Sequence, residues 1–424
     1  MTTTSMGDQV EDLESFRQRA RDYLKAHMPP ASPSSGGGEL PDEEELAQIA
    51  RSRVLQRLLF DGGLAGILFP PEYGGQGLTV EHQRVLNEEI VGYEYPSRMG
   101  VTFAPCGALI DEFARHDMKQ RHLPAMLKGD EIWMQLLSEP SGGSDLAGAQ
   151  LTAVQDGEEW VLNGSKIWSS GAWYADFGLC LTRTNWDVEK HRGLTVFGVD
   201  LHQAGVEIHR IEMLNGAKDF CQVFMTDVRV PDTDRVSEVD DGWTVGIRWL
   251  FHERSLASGS PYFTRPATQE RVPLRGSSTE DLVRIARDLG VLGDPRVREL
   301  LGEAHTLTMV GPELSQRIFQ LIGRGEISDQ AAAISRLFSG NARARGNTIG
   351  MEIAGPGAVA WAADQDEVGQ LGIDYLTRQA GSIGGGTVEM ARNVISERVL
   401  GMPRERTADR DVAFRDVPRS APSR

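Results

Sequence analysis

A glycine turn, a flat aromatic ring and several hydroxyl groups occur together in the stretch 133–171. Ser138-Glu139-Pro140 leads into Gly142-Gly143-Ser144, where the bare backbone can come close to a ligand. Further along, Trp168-Ser169-Ser170 places an indole beside two hydroxyl groups. This combination suits a planar, hydrogen-bonding ligand that carries phosphates. The same residues also fit a β-hairpin around Asp156-Gly157 with a core tryptophan, and residue types alone leave both interpretations open.

Hydrophobic periodicity divides the chain into segments that would position these residues. Apolar residues recur at helical spacing over 1–131, in short alternating runs over 132–240, and at helical spacing again over 241–404. We therefore predict an α+β protein with an N-terminal α-helical domain, a middle β-domain and a C-terminal helical domain. The polar, Arg-rich segment 405–424 is predicted to be a disordered tail. Pro312 is predicted to break or kink a long helix.

Charge and cysteine content restrict the classes of function. The 424 residues include 44 Lys and Arg against 61 Asp and Glu, a formal charge of −17. This charge disfavours nucleic acid and anionic membranes as partners, so an anionic ligand needs a local basic site. The three cysteines show no metal-type spacing, and no apolar segment is long enough for a signal peptide or a membrane span. We expect a soluble, cytoplasmic protein without a metal site.

The stretch 133–171 resembles the signature of the acyl-CoA dehydrogenase family. It carries an acidic residue, a proline and a Gly-Ser-Asp turn, then Asn-Gly-Ser-Lys, then an aromatic residue and two small hydroxyl residues. The resemblance runs from about Ser15 to Arg404. It implies an N-terminal α-domain, a middle β-barrel and a C-terminal four-helix bundle. Neither a G-x-G-x-x-G turn between a strand and a helix nor a P-loop occurs, so a dinucleotide is expected to bind through this signature.

The resemblance also implies a reaction, a cofactor and partners. Family members desaturate an acyl-CoA thioester between Cα and Cβ, with FAD as hydride acceptor and an electron-transfer flavoprotein as reoxidant. They form tetramers, so a homo-tetramer or a hetero-tetramer with a homologue is expected.

Individual contacts follow from the matched positions. Flavin contacts are implied for Gln135, Leu137, Ser138, Gly143, Ser144, Trp168, Ser169, Ser170, Thr387 and Glu389, with Ser170 directed towards flavin N5 and the last two at the adenosine end. Acyl-CoA contacts are implied for Ser144, Arg254 and Gly385. Single residues also have simpler interpretations: Trp168 as a core residue, Ser170 as a turn residue and Glu389 as an acid at a helix N-terminus.

The position of the catalytic base departs from the commonest family pattern. Many members carry a glutamate just before a Gly-Thr near the C-terminus, but this chain has Gly384-Gly385-Gly386-Thr387. Gly385 therefore supplies no carboxylate, although its N–H is left to polarise the thioester carbonyl. Members that resemble isovaleryl-CoA and long-chain dehydrogenases carry the base in a Glu-Arg pair on the first helix of the C-terminal domain. That pair corresponds to Glu253-Arg254.

The helical surroundings of Glu253 support this assignment independently. The residues one turn away are apolar and cannot pair with a carboxylate: Trp249, Leu250, Leu256 and Ala257. We therefore expect burial to raise the pKa of Glu253, as a general base requires. The simpler interpretation is a partly exposed helix glutamate, and for Arg254 a surface ion pair. We interpret His252 as structural.

Further departures keep other functions open. The family's Arg-x-x-Phe-Gly motif has no clear counterpart between Pro261 and Asp294, and Glu352 replaces a glutamine that commonly approaches the flavin diphosphate. A carboxylate there is unfavourable unless it is protonated, turned away or paired. The alternatives are a non-catalytic partner subunit of a hetero-oligomeric dehydrogenase, or a flavin monooxygenase or oxidase of the same fold. The base position is associated with branched or bulky acyl groups, but the sequence does not identify the substrate.

Overall fold

The computed structural model describes residues 10–31, 42–258, 260–267, 278–360, 367–405, 407, 409 and 411–418. These residues form two compact units. The first unit contains the described residues up to Ile211, those between Lys218 and Thr268 and those after Ala408. The second unit contains residues 212–217 and the described residues between Gln269 and Thr407.

The N-terminal part of the first unit is helical. Its described helices are α1 (Leu13–His27), α2 (Asp42–Asp61), α3 (Val80–Glu89), α4 (Ala108–Phe113) and α5 (His116–Lys128). Asp12 caps α1 by accepting the N–H groups of Glu14 and Ser15. Phe16, Ala20 and Leu24 recur every four residues and are buried, so the helical spacing in the sequence corresponds to one buried face.

Seven strands follow and form one mixed sheet. They are β1 (Trp133–Leu136), β2 (Thr152–Asp156), β3 (Glu159–Ser170), β4 (Phe177–Arg183), β5 (Leu194–Asp200), β6 (Val206–Ile211) and β7 (Phe220–Pro231). β5 pairs with one edge of β4, and β1 and β2 share its other edge. Beyond β2 the order continues through β3 and β7 to β6. Trp133 is fully buried and stacks on Phe177 at a centroid distance of 4.8 Å, which places the core under β1 and β4.

The helix α6 (Gly242–Ser258) lies in the first unit. Its first residue approaches β5 so closely that a Cβ on Gly242 would lie 2.7 Å from the backbone of Leu194 and Thr195. The sequence pattern grouped α6 with the C-terminal domain, whereas the compact units separate later, near residue 268. The domain limits at residues 131, 240 and 404 stay predictions.

The second unit is helical, and with the helices and sheet of the first unit this confirms the α+β architecture. Its described helices are α7 (Thr279–Asp288), α8 (Pro295–Gly323), α9 (Ala332–Ala354), α10 (Glu367–Thr377) and α11 (Val388–Val394). Of the predicted break or kink at Pro312, the break is wrong, because α8 continues through this residue, and the kink stays a prediction. Ala304 and Ile318 are buried on either side of Pro312, so packing along α8 offsets the lost N–H donor.

The predicted disordered tail is also wrong for residues 411–418. These residues belong to the first unit, and Phe414–Asp416 forms a 3-10 turn in which Phe414 is buried.

In the part of the chain that the structure describes, no helix has the length and apolar character needed to cross a membrane. No group of three or more His, Cys, Asp or Glu side chains among those residues is arranged to hold a metal ion.

Two glycines with left-handed backbones allow the packing of the sheet to be tested. At Gly205 (φ +87°) a Cβ would lie 2.3 Å from the carbonyl oxygen of Thr226 on β7, whereas at Gly157 (φ +67°) a Cβ would meet open space. Gly157→Ala should lower the free energy of unfolding by about 1 kcal/mol through backbone strain alone. Gly205→Ala should lower it by about 3 kcal/mol, because steric overlap is added to the strain. Urea unfolding followed by tryptophan fluorescence measures both, and equal losses would contradict this view of the β6–β7 packing.

Candidate active site

A buried ion pair fixes the β1–β2 loop (residues 137–151) to strand β3. Lys166 has no exposed surface, and its Nζ donates to Glu139 Oε1 at 2.8 Å and to the Leu137 carbonyl at 3.0 Å. The Glu139 carboxylate also accepts the N–H groups of Gln150 at 2.7 Å and Leu151 at 2.9 Å. Because both charges are paired and hydrogen-bonded, they can be buried without a large penalty. The pair therefore defines the path of the loop.

A bulge in β3 turns Trp168 out of the core. The register with β7 shifts between Lys166 and Ser169, and the Ile167 N–H donates to the Ser138 carbonyl at 2.8 Å. Trp168 has φ +60°, an uncommon conformation for a residue with a side chain. Its ring is 54% exposed and meets Phe220 edge to face at 5.7 Å. The predicted β-hairpin is present, but Trp168 is not a core residue. Its strained backbone instead holds an exposed aromatic ring.

The hydroxyl groups beside Trp168 occupy different environments. Ser170 is exposed, whereas Ser169 is buried and its Oγ has no hydrogen-bond partner among the described residues. In the β1–β2 loop, Gly143 and Ser144 are exposed, and a Cβ on Gly143 would lie 3.3 Å from Ser138 Oγ. An exposed ring, an unbonded hydroxyl and an open turn are the features that a flat, polar cofactor needs. These residues therefore fit a flavin.

Strand β1 is bonded directly to helix α6. Trp249 is fully buried, and its Nε1 donates to Gln135 Oε1 at 2.8 Å. The bond occupies the amide oxygen of Gln135, so its amide nitrogen is the group left for a ligand. This contact fixes the distance between the strand before the β1–β2 loop and the helix that carries Glu253.

Helix α6 has a second anchor on α4. Glu112 accepts two hydrogen bonds from Arg248, at 2.6 and 2.8 Å, and lies 2.9 Å from His252 Nε2. His252 is almost fully buried, and burial lowers its pKa. This environment agrees with the structural role expected for His252. Both anchors lie within the five residues before Glu253, at Arg248, Trp249 and His252, and restrict its movement.

Glu253 itself has no such partner. Among the described residues it forms no hydrogen bond or ion pair, and the neighbouring Arg254 is exposed. Burial raises the pKa of Glu253, and the charge of Arg254 only partly offsets this effect. The expected raised pKa is thus confirmed, and its cause is the burial of the carboxyl group.

The remaining predicted residues belong to the second unit. Arg336 donates to the carbonyl oxygens of Gly384 at 2.8 Å and Gly386 at 2.9 Å, which fixes this glycine loop. Gly385 has φ +70°, and its N–H forms no hydrogen bond to other described residues. Thr387 caps α11 by accepting the Met390 N–H at 3.0 Å. Glu389 lies exposed in the first turn of α11, where the helix dipole favours a carboxylate.

Glu352, the carboxylate that replaces the family's glutamine, is ionised and paired with two arginines. It accepts hydrogen bonds from Arg296 at 3.0 Å and Arg345 at 2.8 Å. These contacts, with that of Arg345 the strongest, lower the pKa of Glu352. Its negative charge is therefore balanced within the second unit.

Sequence reasoning missed Lys166 and Trp249 as residues that position the site. A lysine within an otherwise half-buried strand was a usable signal for Lys166, since an isolated buried ammonium group needs a carboxylate. The bond between Trp249 and Gln135 joins residues far apart in the chain, and no local pattern predicts it.

The buried ion pair gives a first test of the site. Lys166→Met leaves Glu139 buried without its counter-charge, so the free energy of unfolding should fall by about 3–5 kcal/mol. In the exposed pair between Arg229 and Glu159, Arg229→Met should cost less than about 1 kcal/mol. Chemical unfolding measures both variants, and similar small losses would show that the buried pair does not hold the loop.

Glu253 should lower stability at neutral pH. Because its pKa is raised on folding, its contribution is favourable below the pKa of the unfolded chain and is lost as the pH rises through the folded pKa. Glu253→Gln should therefore unfold at a higher free energy than the wild type at neutral pH, with a difference that shrinks in acid. Glu238→Gln, at an exposed position, should show no such dependence. A destabilised Glu253→Gln protein at neutral pH would mean that the carboxylate has a partner.

Comparisons with known proteins identify the family of the chain. The family model for the acyl-CoA dehydrogenase N-terminal domain matches residues 10–130, and that for the middle domain matches residues 135–228. The acyl-CoA dehydrogenase IpdE1 of Mycobacterium tuberculosis is 32% identical over 408 residues, covering 93% of this chain and 99% of its own.

Solved structures show the same relation. The Tcur3481-Tcur3483 steroid ACAD superimposes with a TM-score of 0.68 at 27% identity, covering 93% of this chain and 98% of the matched chain. The ChsE4-ChsE5 complex from M. tuberculosis gives a TM-score of 0.64 at 25% identity, covering 96% and 100%. The chain therefore belongs to the acyl-CoA dehydrogenase family, whose members are FAD-dependent oxidoreductases that act on acyl-CoA.

Proposed function

We propose that this protein desaturates an acyl-CoA thioester between Cα and Cβ, with Glu253 as the catalytic base. The observation that carries the proposal is the half-buried Glu253 carboxylate, which has a raised pKa and no partner among the described residues. It lies on a helix bonded through Trp249 to Gln135, in the strand that precedes the β1–β2 loop. The hydrogen bond between Trp249 and Gln135 thus connects the helix of the proposed base to the strand before the proposed cofactor loop.

The reaction removes a proton from Cα and a hydride from Cβ, which leaves a carbon–carbon double bond. FAD, when bound, supplies the hydride acceptor. Glu253 accepts the α-proton, and its raised pKa strengthens it as a base. Burial of its side chain limits the water that would stabilise the ionised carboxylate.

Polarisation of the thioester carbonyl is assigned to the N–H of Gly385. The carbonyls on both sides of this residue are bound by Arg336, so the loop is held while the Gly385 N–H stays available as a donor. A fixed backbone donor stabilises the negative charge that develops on the carbonyl oxygen as the α-proton leaves. The absence of a carboxylate at residue 385 does not remove this function.

The flavin is assigned to the residues around the β1–β2 loop and the β3 bulge. The exposed indole of Trp168 provides an apolar wall, and the hydroxyl groups of Ser138, Ser169 and Ser170 provide hydrogen bonds. Gln135, Leu137, Gly143 and Ser144 complete this part. Thr387 and Glu389 are assigned to the adenosine end, and Ser144 and Arg254 to acyl-CoA. An electron-transfer flavoprotein is the proposed reoxidant.

A ring-bearing or branched acyl group is the proposed substrate class. A base on α6 replaces the one near the glycine loop, which leaves that loop without a side chain at residue 385. A structurally similar protein is named a steroid ACAD, and two relatives at 25% identity are cyclohexane-1-carbonyl-CoA dehydrogenases from Syntrophus aciditrophicus and Geobacter metallireducens. These names support the class but not a particular thioester.

The second candidate function is a partner subunit in a hetero-oligomer. It is favoured by the ChsE4-ChsE5 structure, which is a complex of two differently named chains, and by the missing Arg-x-x-Phe-Gly motif. Co-expression with a homologue of the same genome distinguishes the two. Flavin that appears only in the co-purified complex, with activity that survives Glu253→Gln, would assign the base to the other chain.

Replacement of the base gives the direct test of the mechanism. Glu253→Gln should lower kcat/KM by about 10³-fold, because general base catalysis contributes roughly 10²–10⁴. The matched control Glu238→Gln should retain wild-type kinetics. In the wild type, kcat/KM should rise with pH through a raised carboxylate pKa, since the ionised form is active. A pH-independent rate or an active Glu253→Gln enzyme would contradict the assignment.

A further inference from the structure

The last described residues hold the loop between β4 and β5. The C-terminal strap, which we define as Asp409 and residues 411–418, places Phe414 4% exposed against Trp186 at a centroid distance of 5.3 Å. The Phe414 N–H donates to the Val188 carbonyl at 2.8 Å, and the Arg415 N–H donates to the Trp186 carbonyl at 2.9 Å. Two backbone bonds and a buried ring make this a specific contact.

Arg183 connects the strap to the β1–β2 loop. Its guanidinium lies over the Phe414 ring, with Cζ 4.0 Å from the centroid, and the side chain is fully buried. It donates to the Ala147 carbonyl at 2.5 Å, the Ala149 carbonyl at 3.1 Å and the Lys190 carbonyl at 2.6 Å. The ring of Phe414 covers one face of a buried cation and strengthens its hydrogen bonds by excluding water.

Lys190 forms a second connection between the strap and the same loop. Its Nζ lies 2.5 Å from Asp409 and 3.0 Å from both carboxylate oxygens of Asp145, the residue after Ser144. Although burial opposes the charge, Asp409 and Asp145 together raise the pKa of Lys190. The ammonium group therefore stays charged and bridges two segments that are far apart in the chain.

We propose that the C-terminal strap positions the β1–β2 loop for its ligand, with Arg183 and Lys190 as the positioning residues. The ion pair of Glu139 and Lys166 holds the loop at one end, and Arg183 and Lys190 hold the segment 145–149 at the other. The part played by the loop in binding flavin and acyl-CoA rests on the proposed function. The mechanical link between strap and loop does not.

Hydrogen exchange on the purified chain tests the link without ligand or turnover. Phe414→Ala uncovers Arg183, so the amides of residues 137–151 should exchange about tenfold faster than in the wild type. Phe414→Tyr keeps the ring and should restore the wild-type exchange. The turn between β2 and β3, around Gly157, should exchange at the same rate in all variants. An unchanged rate at residues 137–151 in Phe414→Ala would overturn the proposal.

Removal of a charge that pairs with Lys190 tests the same link between strap and loop if Phe414→Ala does not fold. Asp409→Asn removes one partner of Lys190, whereas Asp416→Asn removes a similar carboxylate that is exposed. Only Asp409→Asn should speed exchange in the β1–β2 loop. Equal exchange in these two variants would overturn the role of Lys190.

Flavin affinity links the strap to ligand binding. In Phe414→Ala the Kd for FAD should rise about fivefold, while kcat at saturating FAD stays near the wild-type value. Faster exchange with an unchanged Kd would overturn the ligand-positioning part of the proposal. An inactive protein whose exchange responds to Phe414→Ala would reject the proposed function and leave the link between strap and loop intact.

Discussion

The buried pair of Glu139 and Lys166 is the contact on which the candidate site depends. An ammonium and a carboxylate can lie in the core only when each has its partners, and here those partners are supplied by the β1–β2 loop and strand β3. Satisfying the charges therefore fixes the loop next to the β3 bulge. The same geometry turns Trp168 outward in a strained conformation, which produces an exposed aromatic wall beside an open glycine turn.

Helix α6 is also held by contacts of buried side chains, whereas its residue Glu253 forms no such contact with the described residues. Trp249 and His252 are buried and bonded to Gln135 and Glu112, so the helix is held firmly. Glu253 directly follows His252 in the chain and has no partner among the described residues. These contacts of α6 thus offset the loss of stability that comes from half-burying a carboxylate without a partner. Such a loss of stability is typical of catalytic groups.

Local patterns in the sequence predicted much of this structure. Periodicity predicted a helical, a β and a second helical segment, because one buried face is a property of a single element. The raised pKa of Glu253 followed from neighbours one helical turn away. Contacts between distant segments could not be predicted, such as the ion pair of Arg296 on α8 with Glu352 on α9. Phe414 stands in a polar segment, so only the tertiary structure shows what it covers.

The central claim is that Glu253 removes the α-proton of a thioester whose hydride passes to FAD. The most direct measurement is an anaerobic titration of the purified flavoprotein with a panel of acyl-CoA thioesters, followed through the flavin absorbance. We expect at least one branched or ring-bearing thioester to bleach the flavin of the wild type, and no thioester to bleach that of Glu253→Gln. Bleaching that persists in Glu253→Gln, or a wild-type flavin that no thioester bleaches, would contradict the claim.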